Sequence, residues 1–387
     1  MTEQTPHHHI HPVGQALEEE AEAMIHPEGV GYVPPAEQMS IVSRLRQPKT
    51  LLSITVPLAI LIGVVALNWK DMKQVPGQVA HANPLLLLAA FGIYYLGFPL
   101  RGWRWTRLLR GVGYRVKVKD GTEILFLSWL VNCIVPAKLG DLYRAYLLRL
   151  NSPVSATRTL GTVFMERIFD MIAVGTLGVA VGYWRWRGNL TSLPSGVQVI
   201  FVVGLILVLL LIVALIAMRS FGRQIVGLLP LPHRLKEMYY RFEEGVFGSV
   251  GLRGLPLLGL ITGCIWLTEG LRLYFVVRAL GFSDVDLGFS GAIFLALVGS
   301  LLTTIPFTPA GLGLVEGGLY GVLTGIFHAT GPHAAAIILI DRSISVFSIV
   351  VLGSVAYMLS SKPRGGGIEV EGLSGEPGAA TAAPSGA

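Results

Sequence analysis

Glu166, Arg167 and Asp170 interrupt an apolar stretch at about 159–183, and Glu166 and Asp170, four residues apart, share a helix face. A second acid–arginine pair, Asp341-Arg342, interrupts another apolar stretch at about 334–360, and Glu269 and Arg272 sit three apart in a third. Lys138, Asp141 and Arg144 follow Pro136, and Glu316 follows Pro309, each just after an apolar run. A charge at the centre of a bilayer costs roughly 2.5–3.5 kcal/mol on insertion scales, so such groups usually face a bundle interior or a polar pathway. An arginine presents a planar fork that binds phosphate through two hydrogen bonds. The carboxylates can hold those arginines, or bind a cationic headgroup or a proton. For Glu269 and Arg272, local pairing is a sufficient reading. Asp141 and Arg144 lie toward one end of their segment, where water can solvate them. Asn132, one turn before Pro136, can bridge broken backbone or contact a ligand.

Other chemistry is missing from the sequence. There is no Walker loop, no HExxH and no Cys/His metal spacing. Gly311-Leu312-Gly313 follows no soluble strand, so a dinucleotide site is not expected. No Ser/His/Asp set is suggested by spacing, and the longest loop, 219–253, has 35 residues. The expectation is therefore a protein that is not an enzyme and uses no cofactor and no metal. The histidines at 7, 8, 9 and 11 lack ordered partner ligands. Cys133 and Cys264 both fall in apolar segments and read as small apolar residues.

The elements that must carry these charges are membrane spans. Of 387 residues, 52% are hydrophobic and only 14% are charged, against roughly 25% charged in soluble proteins. The mean hydropathy is +0.61. A soluble enzyme, a disordered chain and a disulfide scaffold are excluded, and the fold class is an all-α polytopic membrane protein. The net charge of +6 reflects basic loops rather than nucleic-acid binding. Eight apolar segments are predicted, at about 50–68, 84–103, 121–136, 159–183, 197–218, 254–280, 288–306 and 334–360. Six have roughly the 20 residues that span a 30 Å hydrocarbon core. The segments at 121–136 and 288–306 are shorter and end at Pro136 and Pro306. Residues 1–49 form an acidic, histidine-containing tail and residues 362–387 a Gly/Ala/Pro-rich tail, both expected to be disordered. Trp103, Trp105 and Trp129 read as interfacial anchors.

Loop 101–119 has seven basic residues and loop 219–253 has six; with those flanking the first and last spans, 18 lie on one side and four on the other. The positive-inside rule then places both termini in the cytoplasm. On that topology 121–158 enters and leaves from the cytoplasm, and 288–333 from the exterior. Each reads as a re-entrant hairpin, because irregular backbone at membrane depth needs protein or a water cavity around it. The hairpins share a motif, Pro136-Ala137-Lys138-Leu139-Gly140 and Pro309-Ala310-Gly311-Leu312-Gly313, at an offset of 173; Glu166-Arg167 and Asp341-Arg342 repeat at 175. The prediction is an inverted repeat of two halves, about 50–183 and 197–360, with six full spans and two hairpins.

At these residues the chain resembles a known family. The stretch Ser128-Trp129-Leu130-Val131-Asn132 through Pro136 to Arg144, the stretch Phe164 to Asp170, the stretch Pro306 to Gly317, and Asp341-Arg342 look like its four ordered signatures. The family is the flippase-like membrane domain of lysylphosphatidylglycerol synthases, found also as a stand-alone inner-membrane protein, and the resemblance covers roughly residues 50 to 360. It implies movement of a lipid between leaflets, in the best-known members an aminoacylated phosphatidylglycerol. This sequence carries no synthase domain, so the synthase activity is not expected. The first expectation is a flippase for a phosphate-bearing lipid in a bacterial inner membrane, with Asn132, Lys138, Asp141, Arg144, Glu166, Arg167, Asp170, Glu316, Asp341 and Arg342 as the translocation residues. The alternative is a non-transporting scaffold or accessory subunit for a lipid or envelope-glycan enzyme. The expected partners are a membrane lipid and such an enzyme, with no nucleic acid.

Overall fold

The computed structural model describes residues 73–135, 138–185, 195–285, 287–303, 308–368 and 370. The expected first span, the amino-terminal tail, Pro136, Pro306 and the far carboxy-terminal tail lie outside the described residues.

All regular structure among the described residues is helical. A short α1 (Val75–Ala80) leads into α2 (Pro84–Gly111), which Asn83 caps by accepting from Leu85 N–H at 3.0 Å, with Pro84 at the first helical position. The first interrupted pair is α3 (Val118–Ile134) and α4 (Leu139–Asn151), followed by α5 (Ala156–Arg185). Then come α6 (Ser195–Leu228), α7 (His233–Gly248) and α8 (Leu255–Leu280). The second interrupted pair is α9 (Gly288–Thr303) and α10 (Leu314–Gly325). Last are α11 (Gly331–Arg342) and α12 (Ser348–Leu359), continuous through one π turn at Ser343–Phe347.

Four described stretches are long and apolar enough to cross a membrane: Pro84–Gly111, Gly204–Leu228, Leu252–Leu280 and Gly331–Leu359. The α5 helix has 30 residues, about 45 Å at 1.5 Å per residue, and carries the Glu166, Arg167 and Asp170 charges along its length. The apolar 18-residue window of Gly204–Leu228 has no fully buried residue, as expected for a helix largely solvated by lipid.

Three boundaries differ from the sequence reading. Helix α2 does not end near residue 103 but continues to Gly111, taking Arg101 and Arg104 with it; both are buried. The expected loop 219–253 is largely helix, because α6 runs to Leu228 and α7 fills 233–248. The carboxy-terminal tail starts later than expected. Lys362 pairs with Asp120 at 2.9 Å, and Ile368 N–H donates to Asn151 O at 2.7 Å.

Glycine permits the close crossings. A Cβ on Gly161 of α5 would sit 2.4 Å from Phe242 O, and one on Gly245 of α7 would sit 2.1 Å from Arg158 O. The apolar core has two parts. The larger joins Tyr94, Phe98, Leu273, Phe294, Leu319 and Ile337; the smaller joins Trp105, Leu109, Ile124, Leu127 and Leu148. The charged groups lie among these helices.

Candidate functional site

Both chain breaks are built from left-handed backbone and a side-chain clamp. After α3 the chain reaches Lys138 at φ 53°, and α4 begins at Leu139. Asn132 Oδ1 accepts from Gly140 N–H at 2.8 Å, so the asparagine bridges the broken backbone. Gly140 is obligatory there, because a Cβ would meet Ser128 O at 2.0 Å. Before α10 the chain passes through Ala310, Gly311 and Gly313 at positive φ, and Glu316 Oε2 accepts from Gly313 N–H at 2.6 Å.

The first charged group gathers three arginines and three carboxylates. Arg104 of α2 holds Asp170 with two hydrogen bonds, 2.6 and 3.1 Å, and its Nη2 lies 3.2 Å from Glu166. Arg144 of α4 donates to Glu166 at 3.1 Å and lies over the Trp105 ring. Arg167 grips Asp141 with Nε at 3.0 Å and Nη2 at 3.1 Å, and reaches Asp170 at 3.4 Å.

The second group has the same composition. Arg101 of α2 pairs closely with Glu269 of α8. Arg272 Nη2 lies 3.2 Å from Glu269 and 3.3 Å from Asp341. Arg342 donates to Glu316 Oε1 and to Ala310 O, both at 2.6 Å. The π turn follows directly, and Tyr94 Oη donates to Ser345 O at 2.9 Å. Such turns recur at functional positions in helices.

Between the two groups lies a cavity of about 420 Å³. Its charged lining is Arg101, Lys138, Arg167, Arg272 and Arg342 with Asp141, Asp170, Glu269 and Asp341. Tyr94, Trp129 and Trp266 supply aromatic wall. Of the residues expected from sequence, Asn132, Lys138, Asp141, Arg167, Asp170, Asp341 and Arg342 line the cavity. Arg144, Glu166 and Glu316 stand behind the wall: Arg144 lies 4.0 Å from Asp141, Glu166 lies 3.9 Å from Arg167, and Glu316 accepts from Arg342.

Several expectations are corrected here. Arg144 is not solvated but 1% exposed, and Asp141 is engaged by Arg167. Glu269 and Arg272 are not a self-contained local pair, since Arg101 and Asp341 join them. Trp105 is no interfacial anchor: it is fully buried and donates to Thr162 Oγ1 at 3.2 Å. Trp129 lies under Arg101 in the cavity wall. Arg101 and Arg104 escaped sequence reasoning because they continue into an arginine-rich stretch. The available signal was charge balance: the six carboxylates singled out in or beside the apolar segments (Asp141, Glu166, Asp170, Glu269, Glu316 and Asp341) face only four arginines and one lysine (Arg144, Arg167, Arg272, Arg342 and Lys138). Among the described residues no His/Cys/Asp/Glu group fit for a metal ion occurs.

Eight of these twelve charges sit on the four sequence signatures; Arg101, Arg104, Glu269 and Arg272 lie outside them. A family model described as the lysylphosphatidylglycerol synthase TM region matches residues 54–353. The chain belongs to this family. A UPF0104 membrane protein of Methanocaldococcus jannaschii is 35% identical over 231 residues, 59% of this chain and 93% of that protein. Glycosyltransferase AglD of Haloferax volcanii is 28% identical over 349 residues, covering 81% of this chain but only 55% of AglD. A UPF0104 membrane protein of Methanothermobacter thermautotrophicus is 26% identical over 323 residues, 77% of this chain and 93% of that protein. The family member described here is an integral membrane protein. These relatives are archaeal.

Proposed function

We propose that the chain moves the phosphate-bearing headgroup of a lipid between leaflets through the charged cavity, and catalyses no reaction of its own. One observation carries this reading: five cations and four carboxylates face a single cavity among helices with apolar outer surfaces. A headgroup crossing hydrocarbon loses its hydration. Fixed charges and hydrogen-bond donors replace that hydration while the acyl chains stay in the bilayer. Aminoacylated and polyprenyl-linked lipids both carry such a phosphate.

An inverted repeat suits this task, since each half offers a broken helix to one face of the membrane. In support, α4 and α10 begin 175 residues apart, at Leu139 and Leu314. The Asp141–Arg167 and Glu316–Arg342 pairs are each separated by 26 residues and are themselves 175 apart. Removing the buried Arg101 and Arg104 from the loop count leaves 16 basic residues on one side against four on the other, which still favours cytoplasmic termini.

The test uses purified protein in phosphatidylcholine vesicles carrying a trace of NBD-labelled phosphatidylglycerol. External dithionite bleaches only the outer leaflet. Bleaching beyond that of protein-free vesicles supports the reading, and equal bleaching ends it. A second reading, an accessory subunit for a glycan enzyme, is favoured by the likeness to glycosyltransferase AglD. Lipid movement by the chain alone decides against it.

A further inference from the structure

The two acid–arginine pairs are unequally satisfied. Glu166 accepts from Arg144 at 3.1 and 3.4 Å and has Arg104 3.2 Å away. Asp341, its counterpart, is 4% exposed and lines the cavity, yet its Oδ1 accepts no hydrogen bond. The nearest cation, Arg272, presents a single nitrogen that it shares with Glu269. Arg342, the next residue, is turned away to Glu316 and Ala310 O. The groups facing Asp341 are Arg272 and Glu269 from α8, Glu316 from α10, Arg342 from its own helix, and Arg101 and Tyr94 of α2 one contact further away. A buried carboxylate without donors is costly, and a proton removes that cost.

We propose that Asp341 is the proton-binding site of the cavity, and that its proton travels with one phosphodiester anion. The charge count argues for the coupling. With Asp341 ionised, the second group is neutral, three arginines against three carboxylates. A proton on Asp341 leaves one net positive charge, which a phosphodiester monoanion balances. The same proton frees Arg272 from Asp341. Arg272 Nε and Nη1 already lack partners, so the guanidinium gains a free edge for phosphate oxygens. The proton is taken from the aqueous phase on one side and released to the other, and the pair crosses without moving net charge.

The coupling rests on the proposed lipid movement; the proton site does not, and two measurements separate them. Infrared difference spectra of the full chain in phosphatidylcholine vesicles, taken through a pH titration, read the protonated-carboxyl band without any transport. The expected band is lost in Asp341→Asn and shifted in Asp341→Glu, which keeps the group should the first variant fail to fold. A band unaffected by both, or no band in the parent protein, overturns the proton site. The second measurement imposes a pH gradient on the NBD-phosphatidylglycerol vesicles. The gradient is expected to accelerate lipid movement in the parent and to lose that effect in Asp341→Asn. An equal gradient response in the two overturns the coupling. The expected band beside absent lipid movement overturns the proposed function and leaves the proton site standing.

Discussion

Each arginine of the two charged groups is held differently, and the difference predicts what its loss does. Arg144 is 1% exposed and faces Glu166 from inside the core. Removing one partner of a buried pair strands the other charge, at a cost of about 3–5 kcal/mol. Arg144→Ala is therefore expected to lower thermal stability sharply, as read by unfolding in detergent. Arg167 differs: its side chain is 33% exposed and lines the cavity. Arg167→Ala is expected to abolish lipid movement at a smaller stability cost, and Arg167→Lys to restore movement only in part, because lysine lacks the fork that grips Asp141. Stable Arg167→Ala protein with unchanged movement would remove this arginine from the pathway. The place of Arg167 within an apolar segment was legible, but the occupation of its fork by Asp141 was not: residues 26 apart meet only through the turn between α4 and α5.

The elements follow from local chemistry where a break is marked and not where a helix simply continues. Pro136 and the Lys138-Leu139-Gly140 run announced a broken helix, and the Asn132 to Gly140 N–H bond is what seals it. Asn132→Ala leaves that N–H unsatisfied, a penalty of about 1–3 kcal/mol. Gly140→Ala drives a methyl into Ser128 O and is expected to be the more damaging of the two by the same unfolding measurement. The extra two turns of α2 had no such marker, since arginine is a good helix former and nothing after Trp103 stops the helix before Gly111. A further clip joins the turn after α8 to the start of α11. Asp284 accepts from Thr330 N–H at 3.0 Å and meets His333 Nδ1 at 2.6 Å. Burial pushes the Asp284 carboxyl up, but the bonds from Thr330 and His333 outweigh it and hold the group below the usual carboxylate range. A depressed value adds stability that is complete above the unfolded value of about 3.9 and is lost as pH falls through the folded one. Acidification below about pH 4 should thus lower the melting temperature less in Asp284→Asn than in the parent. Identical pH profiles would show that the clip adds nothing.

At the scale of the whole molecule the two halves are expected to open to opposite sides of the membrane. The all-helical membrane class, four long apolar stretches and the family were legible from composition and motif, because insertion into lipid is a property of local sequence. The joining of Arg101 and Arg104 to acids on α5 and α8 was not, because it depends on which helices pack together. Leu139 and Leu314 open the corresponding helices after the two breaks and are 41% and 40% exposed, so each can carry a probe without disturbing the core. Cys133 and Cys264 are free thiols and must first be replaced. On that background Leu139→Cys is expected to react with an impermeant maleimide mainly from the cytoplasmic face, and Leu314→Cys mainly from the other. Inverted halves demand this opposition, since each break is reached only from the face its hairpin enters. Halves inserted in the same sense would put both thiols on one side, and labelling of that kind would end the inverted repeat while leaving the charged cavity to be explained as an asymmetric site.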